Sequence, residues 1–125
     1  MPLSPGLHGS AKLVVTHDDT AIALRSGEVE VLGTPRVIAL VEEAAMAAVV
    51  DQLPTGQTTV GMRVQLDHLA PTSIGSSVAA EATLEKVEGR RLTFTVSVSD
   101  QCGLVAAGKV TRVVVVTERF LDKAR

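Results

Sequence analysis

The chain has 125 residues, 46% of them hydrophobic and 21% charged, with a formal net charge of -2. That suits one compact domain spanning residues 1–125, able to bury a core without disulfides or metal. Acidic residues outnumber basic ones 14 to 12 and the only aromatics are Phe94 and Phe120, which argues against nucleic-acid binding, since that needs basic grooves and stacking rings. The lone Cys102 rules out an internal disulfide framework or a multi-cysteine metal site, and no stretch reads as a leader or membrane span, so the expected location is the cytoplasm.

In chain order, Ala11 to Thr16 reads as a first strand. A helix is predicted over Thr34 to Leu53, with Thr34 as its N-cap, Pro35 in its first turn and Pro54-Thr55-Gly56 as its stop. Large apolar residues surround most of its axis, from Val37, Ile38, Leu40 and Val41 to Met46, Val49, Val50 and Leu53. It therefore reads as buried on nearly every side, and Ala39, Ala44, Ala45, Ala47 and Ala48 would admit neighbouring backbones closely.

Four strands follow. Alternation over residues 59 to 69 places Val60, Met62, Val64, Leu66 and His68 on one face, with Arg63, Gln65 and Asp67 opposite. A second run carries Val78, Ala80, Ala82 and Leu84 to the turn Glu88-Gly89-Arg90. A third sets Leu92, Phe94, Val96 and Val98 against Thr93, Thr95, Ser97 and Ser99, and the last runs from Leu104 to Thr117. The short connections predict antiparallel neighbours. One buried helix ahead of four long strands points to an α+β hotdog fold, a curved antiparallel sheet wrapped around a central helix. The 20 valines suit such strands and the alanines suit the helix, so large rings are not needed.

Two adjacent glutamates on the helix separate by angle. At about 100° per residue, Glu42 falls between Val49 and Leu53, whereas Glu43 falls beside Arg36. The plain reading of Glu43 is a solvated or ion-paired side chain. A carboxylate inside an apolar stripe must instead be paired, hydrogen-bonded or shifted in pKa, and such sites are enriched for function. His68 ends an apolar strand face just before Pro71 interrupts the ladder, which places it near the sheet rim, either as a satisfied core histidine or as a proton carrier.

Taken together, Thr34-Pro35, Glu42, Val60-Gly61, His68-Leu69-Ala70-Pro71-Thr72, Gly75, Val87-Glu88-Gly89-Arg90-Arg91-Leu92, Gly108 and Arg112 resemble the hotdog thioesterases related to fluoroacetyl-CoA thioesterase, over about residues 30 to 120. The resemblance implies an acyl-CoA thioesterase, a homodimer or dimer of dimers with its site at the subunit interface. It implies a catalytic group of Thr34, Glu42 and His68, with Gly61 beside the thioester and Arg112 binding substrate. It implies no metal and no cofactor beyond the coenzyme A of the substrate. Thr34 would orient Glu42 or a water, Glu42 would attack the carbonyl or activate water, and His68 would move the proton. Arg90, Arg91 or Lys109 are candidates for the coenzyme A phosphates.

The chain departs from the fluoroacetyl-specific enzyme in having no aromatic residue before Phe94, so it offers no phenylalanine lid. Hydrolysis without fluoroacetyl selectivity is expected, with Ala45, Ala48 and Val49 lining the acyl pocket. An enoyl-CoA hydratase is the less favoured alternative, because Asp67 and His68 are neighbours on a strand and point to opposite faces. A non-catalytic acyl-CoA-binding protein is the other.

Overall fold

A computed structural model describes residues 3–124. Five antiparallel strands form one curled sheet: β1 (His8–Val14), β2 (Gln57–His68), β3 (Ser77–Glu88), β4 (Arg91–Asp100) and β5 (Gly103–Val116), in spatial order β1-β3-β4-β5-β2. The main helix α1 (Thr34–Val49) continues as a 3₁₀ turn over Val50–Gln52 and lies in the hollow of the sheet, chiefly against β1 and β3. A short helix α2 (Thr117–Lys123) follows β5. This is the hotdog architecture, and no helix among the described residues is long and apolar enough to cross a membrane.

The core is built by strand alternation. Val78, Ala80, Ala82 and Leu84 on β3, and Leu92, Phe94, Val96 and Val98 on β4, are all buried against Val37, Leu40, Val41, Ala44, Ala45 and Val49 of α1. Each fully buried valine or leucine contributes roughly 1.5–3 kcal/mol relative to exposure. Phe94 is the one ring among them, so branched aliphatics supply most of the volume. Gly9 lets β1 approach the helix backbone directly, because a Cβ there would overlap Ala44 O and Ala48 N. The alanines of α1 serve this close packing. Ala45, Ala48 and Val49, expected to line the acyl pocket, are buried in this core.

Four sequence expectations change. The first strand begins at His8 and ends at Val14 rather than running from Ala11 to Thr16. The N-cap of α1 is Gly33, with Thr34 as the first helical residue and no side-chain cap, so the Thr34 hydroxyl is free for another partner. The helix is not buried all round: Val37, Leu40, Val41, Ala44, Ala45, Ala48 and Val49 face the sheet, whereas Met46 is 40% and Val50 61% exposed. The reason is geometric, since a single open sheet covers only one side of a helix.

The fourth change bears on the site. The β2–β5 register runs from Gln57 opposite Val116 to Gly61 opposite Arg112, then resumes with Arg63 opposite Thr111, so Met62 is the extra residue of a β-bulge. A bulge reverses the side-chain alternation beyond it. Before it, Thr59 is buried and Gly61 faces α1; after it, Val64 and Leu66 pack against the core. Val60 and Met62 therefore do not share a face with His68, and Met62 is 45% exposed. Gly61 and His68, which strict alternation would separate, come to the same side of the sheet.

Candidate active site

Thr34 and His68 meet where α1 begins and β2 ends. The Thr34 hydroxyl lies 2.8 Å from His68 Nδ1 in a hydrogen bond that either imidazole tautomer can make. Backbone pairing brings the two segments together: Leu32 N–H donates to Thr72 O at 2.8 Å, and Val31 forms a β-bridge with Ser73. The residues just before Thr34 are thus tied to those just after His68.

The helix start is pinned from a third direction. Asp19 Oδ1 accepts from Arg36 Nε at 3.3 Å while its Oδ2 accepts from the Thr16 N–H and hydroxyl at 2.8 and 3.0 Å. Burial alone would raise the Asp19 carboxyl, but these Thr16 bonds and the Arg36 charge outweigh it and hold it below its ordinary value. Arg36 also donates to Glu43 at 2.9 Å. Glu43 is therefore an exposed, ion-paired residue, as its helix angle indicated.

His68 Nε2 is buried and has no hydrogen-bond partner among the described residues. Burial pushes the His68 imidazolium down from its ordinary value, with the backbone of Ala70 opposing the shift. The ring is therefore held toward its neutral form, with Nδ1 fixed by Thr34 and Nε2 available for a proton. A groove of about 320 Å³ opens beside it, lined by Thr34 and His68 together with Ala21, Val29, Val31 and Leu69. Its walls are small and aliphatic. A larger hollow of about 840 Å³ lies elsewhere, between β1 and the start of β3 near Cys102, and holds none of the expected site residues.

Glu42 belongs to a second group, farther along α1. Its Oε2 accepts from Arg112 Nη1 at 2.8 Å, in a pair whose arginine side chain is 6% and whose glutamate side chain is 29% exposed. Burial lowers the Arg112 pKa and the Glu42 charge opposes that shift. The apolar stripe around Glu42 is thus interrupted by a cation from β5, which the helix angle alone did not reveal. Gly61, opposite Arg112 in the ladder, leaves the space that this pair occupies, because a Cβ on residue 61 would collide with Glu42 Oε2. Only Oε2 is used; Oε1 has no protein hydrogen bond among the described residues.

Among the described residues, then, Thr34 pairs with His68, and Glu42 joins Arg112 and Gly61. No hydrogen bond links the two groups within one chain. Of the phosphate candidates, Lys109 is paired with Glu85 at 3.2 Å, while Arg90 and Arg91 border a separate hollow of about 330 Å³ with Glu88. Among the described residues no cluster of ligating side chains could hold a metal ion. Thr59, which no sequence signal marked, contacts Arg112 through both its hydroxyl and its carbonyl.

Comparison with known proteins extends this geometry. The family described as fluoroacetyl-CoA-specific thioesterase matches residues 15–118. The fluoroacetyl-CoA thioesterase of Streptantibioticus cattleyicolor is 34% identical over 96 residues, which cover 77% of this chain and 69% of that protein. A solved structure of a fluoroacetyl-CoA thioesterase superposes with a TM-score of 0.93 at 29% identity, covering 100% of this chain and 97% of that one. A thioesterase-superfamily member from Thermus thermophilus gives a TM-score of 0.90 at 25% identity, covering 99% and 92%. A hot-dog-like protein from Thermanaerovibrio acidaminovorans gives 0.87 at 29% identity, covering 96% and 89%.

Proposed function

For a chain that belongs to the fluoroacetyl-CoA-specific thioesterase family, we propose hydrolysis of an acyl-CoA, without fluoroacetyl selectivity, by Thr34, Glu42 and His68. The protein is a thioester hydrolase whose substrate carries coenzyme A. The observation that carries the residue assignment is the Glu42 carboxylate, held through Oε2 by a buried arginine against a glycine, with Oε1 free. A carboxylate so placed has one oxygen engaged and presents the other to a bound carbonyl.

The chemistry balances on these residues. Oε1 of Glu42 attacks the thioester carbon to give an anhydride, which water then hydrolyses to free acid and Glu42, or it removes a proton from a water that attacks the thioester carbon directly. The carbon–sulfur bond breaks, and neutral His68, held at Nδ1 by Thr34, takes up the proton that water loses and passes it to the leaving thiolate. Arg112 lies beside this carboxylate, and its positive charge stabilises the oxyanion that develops next to it. Free acid and coenzyme A thiol are the products.

Relaxed acyl selectivity is supported by the lining of the Thr34–His68 groove, which holds no phenylalanine, tyrosine or tryptophan, and by the absence of any such residue before Phe94. Thiol release from fluoroacetyl-CoA, acetyl-CoA and longer straight-chain acyl-CoAs tests this. Comparable kcat/KM for the fluoroacetyl and acetyl substrates, within about tenfold, is expected. Strong preference for the fluorinated substrate would refute the relaxed reading, and binding without turnover of any acyl-CoA would refute the assigned chemistry.

A twofold assembly belongs to the same proposal. Met46 and Val50 are exposed at four-residue spacing along α1 and its 3₁₀ continuation, one turn beyond Glu42, and β2 is an edge strand with Met62 exposed. An apolar row beside an unpaired edge suits a second copy of the chain, which would complete the sheet and bring the Thr34–His68 and Glu42–Arg112 groups into a shared interface. Light scattering should give a mass that is an even multiple of 13.0 kDa. An active protein at the monomer mass would contradict the assembly.

A further inference from the structure

We infer that Thr59 is a positioning residue that aims Arg112 at Glu42. The inference rests on the proposed role of the Glu42–Arg112 pair. Arg112 Nε donates to Thr59 Oγ1 at 2.9 Å and Nη2 donates to Thr59 O at 2.9 Å, so one residue grips two edges of the guanidinium. Nη1 is left to point at Glu42 Oε2. Both gripping partners are buried, Thr59 and Arg112 being 5% exposed each.

The β2 backbone makes this grip available. Arg112 stands opposite Gly61, and Thr59 lies two residues earlier on the same inward face, ahead of the bulge. With no side chain at residue 61, the arginine can lie along the sheet from β5 toward Thr59 and still reach the helix. A guanidinium is planar and its donors are fixed in direction. Two bonds at Nε and Nη2 therefore determine where Nη1 points, and through it where Glu42 Oε2 sits and where Oε1 is presented. Removing the hydroxyl frees one edge and lets the plane rotate, which displaces both the oxyanion donor and the reacting carboxylate. Misplacement on the scale of an ångström is enough to slow chemistry strongly.

Thr59 touches no reacting atom in this scheme, so its effect passes through Arg112. Steady-state hydrolysis of acetyl-CoA, or of the best substrate found, by the full chain provides the test. Thr59→Val, which keeps the branched shape, should lower kcat by about tenfold or more with KM changed less than about threefold. Thr59→Ala should do the same, whereas Thr59→Ser, which keeps the acceptor oxygen, should restore most of kcat. In an Arg112→Gln background, Thr59→Val should cost no further activity, because the group it aims is gone.

Serine as impaired as alanine would overturn the inference. So would a full, independent loss in the Arg112→Gln background, or folded Thr59→Val and Thr59→Ala proteins with wild-type kcat. Should Thr59→Val not fold, the alanine and serine variants alone decide the matter. The underlying reading fails in a different way: Glu42→Gln and Arg112→Gln would then both retain activity, whatever Thr59 does.

Discussion

Replacing Glu42 by glutamine is expected to lower kcat for acyl-CoA hydrolysis by on the order of 10³-fold, with less loss of stability than alanine causes there. The two side chains have the same shape, and the amide oxygen of glutamine can still accept from Arg112 Nη1. What glutamine lacks is the charge that makes Oε1 a nucleophile or a base. Glu42→Ala separates the chemical role from the structural one. It removes the acceptor as well as the charge, so Arg112, only 5% exposed, keeps neither its counter-charge nor a hydrogen-bond partner at Nη1. Breaking a fully buried pair costs about 3–5 kcal/mol, but water reaches the partly exposed glutamate side, so about 1–3 kcal/mol is the expected destabilisation. Thiol-release kinetics beside a denaturant titration should therefore show both variants inactive and the alanine the more destabilised. A glutamine variant with near wild-type kcat would remove Glu42 from the chemistry.

Much of this arrangement is legible in the sequence, and the parts that are not share a cause. Alternating valines located β2 to β5 closely, and the helix wheel correctly separated Glu43, paired with Arg36, from Glu42. Both readings depend on regular periods. The β-bulge at Met62 breaks the period, and with it the prediction that Val60 and Met62 face inward with His68. Gly61 inside a strand was the available signal, since strand glycines mark bulges and close approaches. The same bulge hid Thr59, because a threonine near the start of an edge strand reads as solvent-facing until its parity is known.

Thr34 was misread for a related reason. A threonine before proline is a good cap by local chemistry, but Gly33 takes that position and the hydroxyl turns to His68, 34 residues along the chain. The uncovered row at Met46 and Val50 reflects what composition cannot specify, namely which side of an apolar helix the sheet occupies. Local pattern singled out Glu42 and His68 as candidates; their partners came from contacts between elements distant in sequence.

The second large effect is expected at His68. If the neutral ring carries the proton, kcat/KM should stay high on acidification until the depressed His68 pKa is reached, so its acid limb should lie below the ordinary value of 6.5. His68→Gln should abolish that limb and lower kcat by about 10²–10⁴-fold. The same depression has a stability consequence of fixed sign. Below about 6.5 the unfolded chain binds a proton at this ring that the folded chain resists, so stability falls with falling pH between 6.5 and the lower folded-state value. Above 6.5 both states are neutral and the ring contributes no pH dependence. Asp19, also depressed, acts only below its ordinary value of 3.8, so the two effects do not overlap in the range where a histidine titrates. Melting temperatures measured from about pH 7 to pH 5 should therefore fall more steeply for the wild type than for His68→Gln. Parallel curves for the two proteins, together with an acid limb at or above 6.5, would show that burial does not hold this ring neutral, and its proton-carrying role would lose its physical basis.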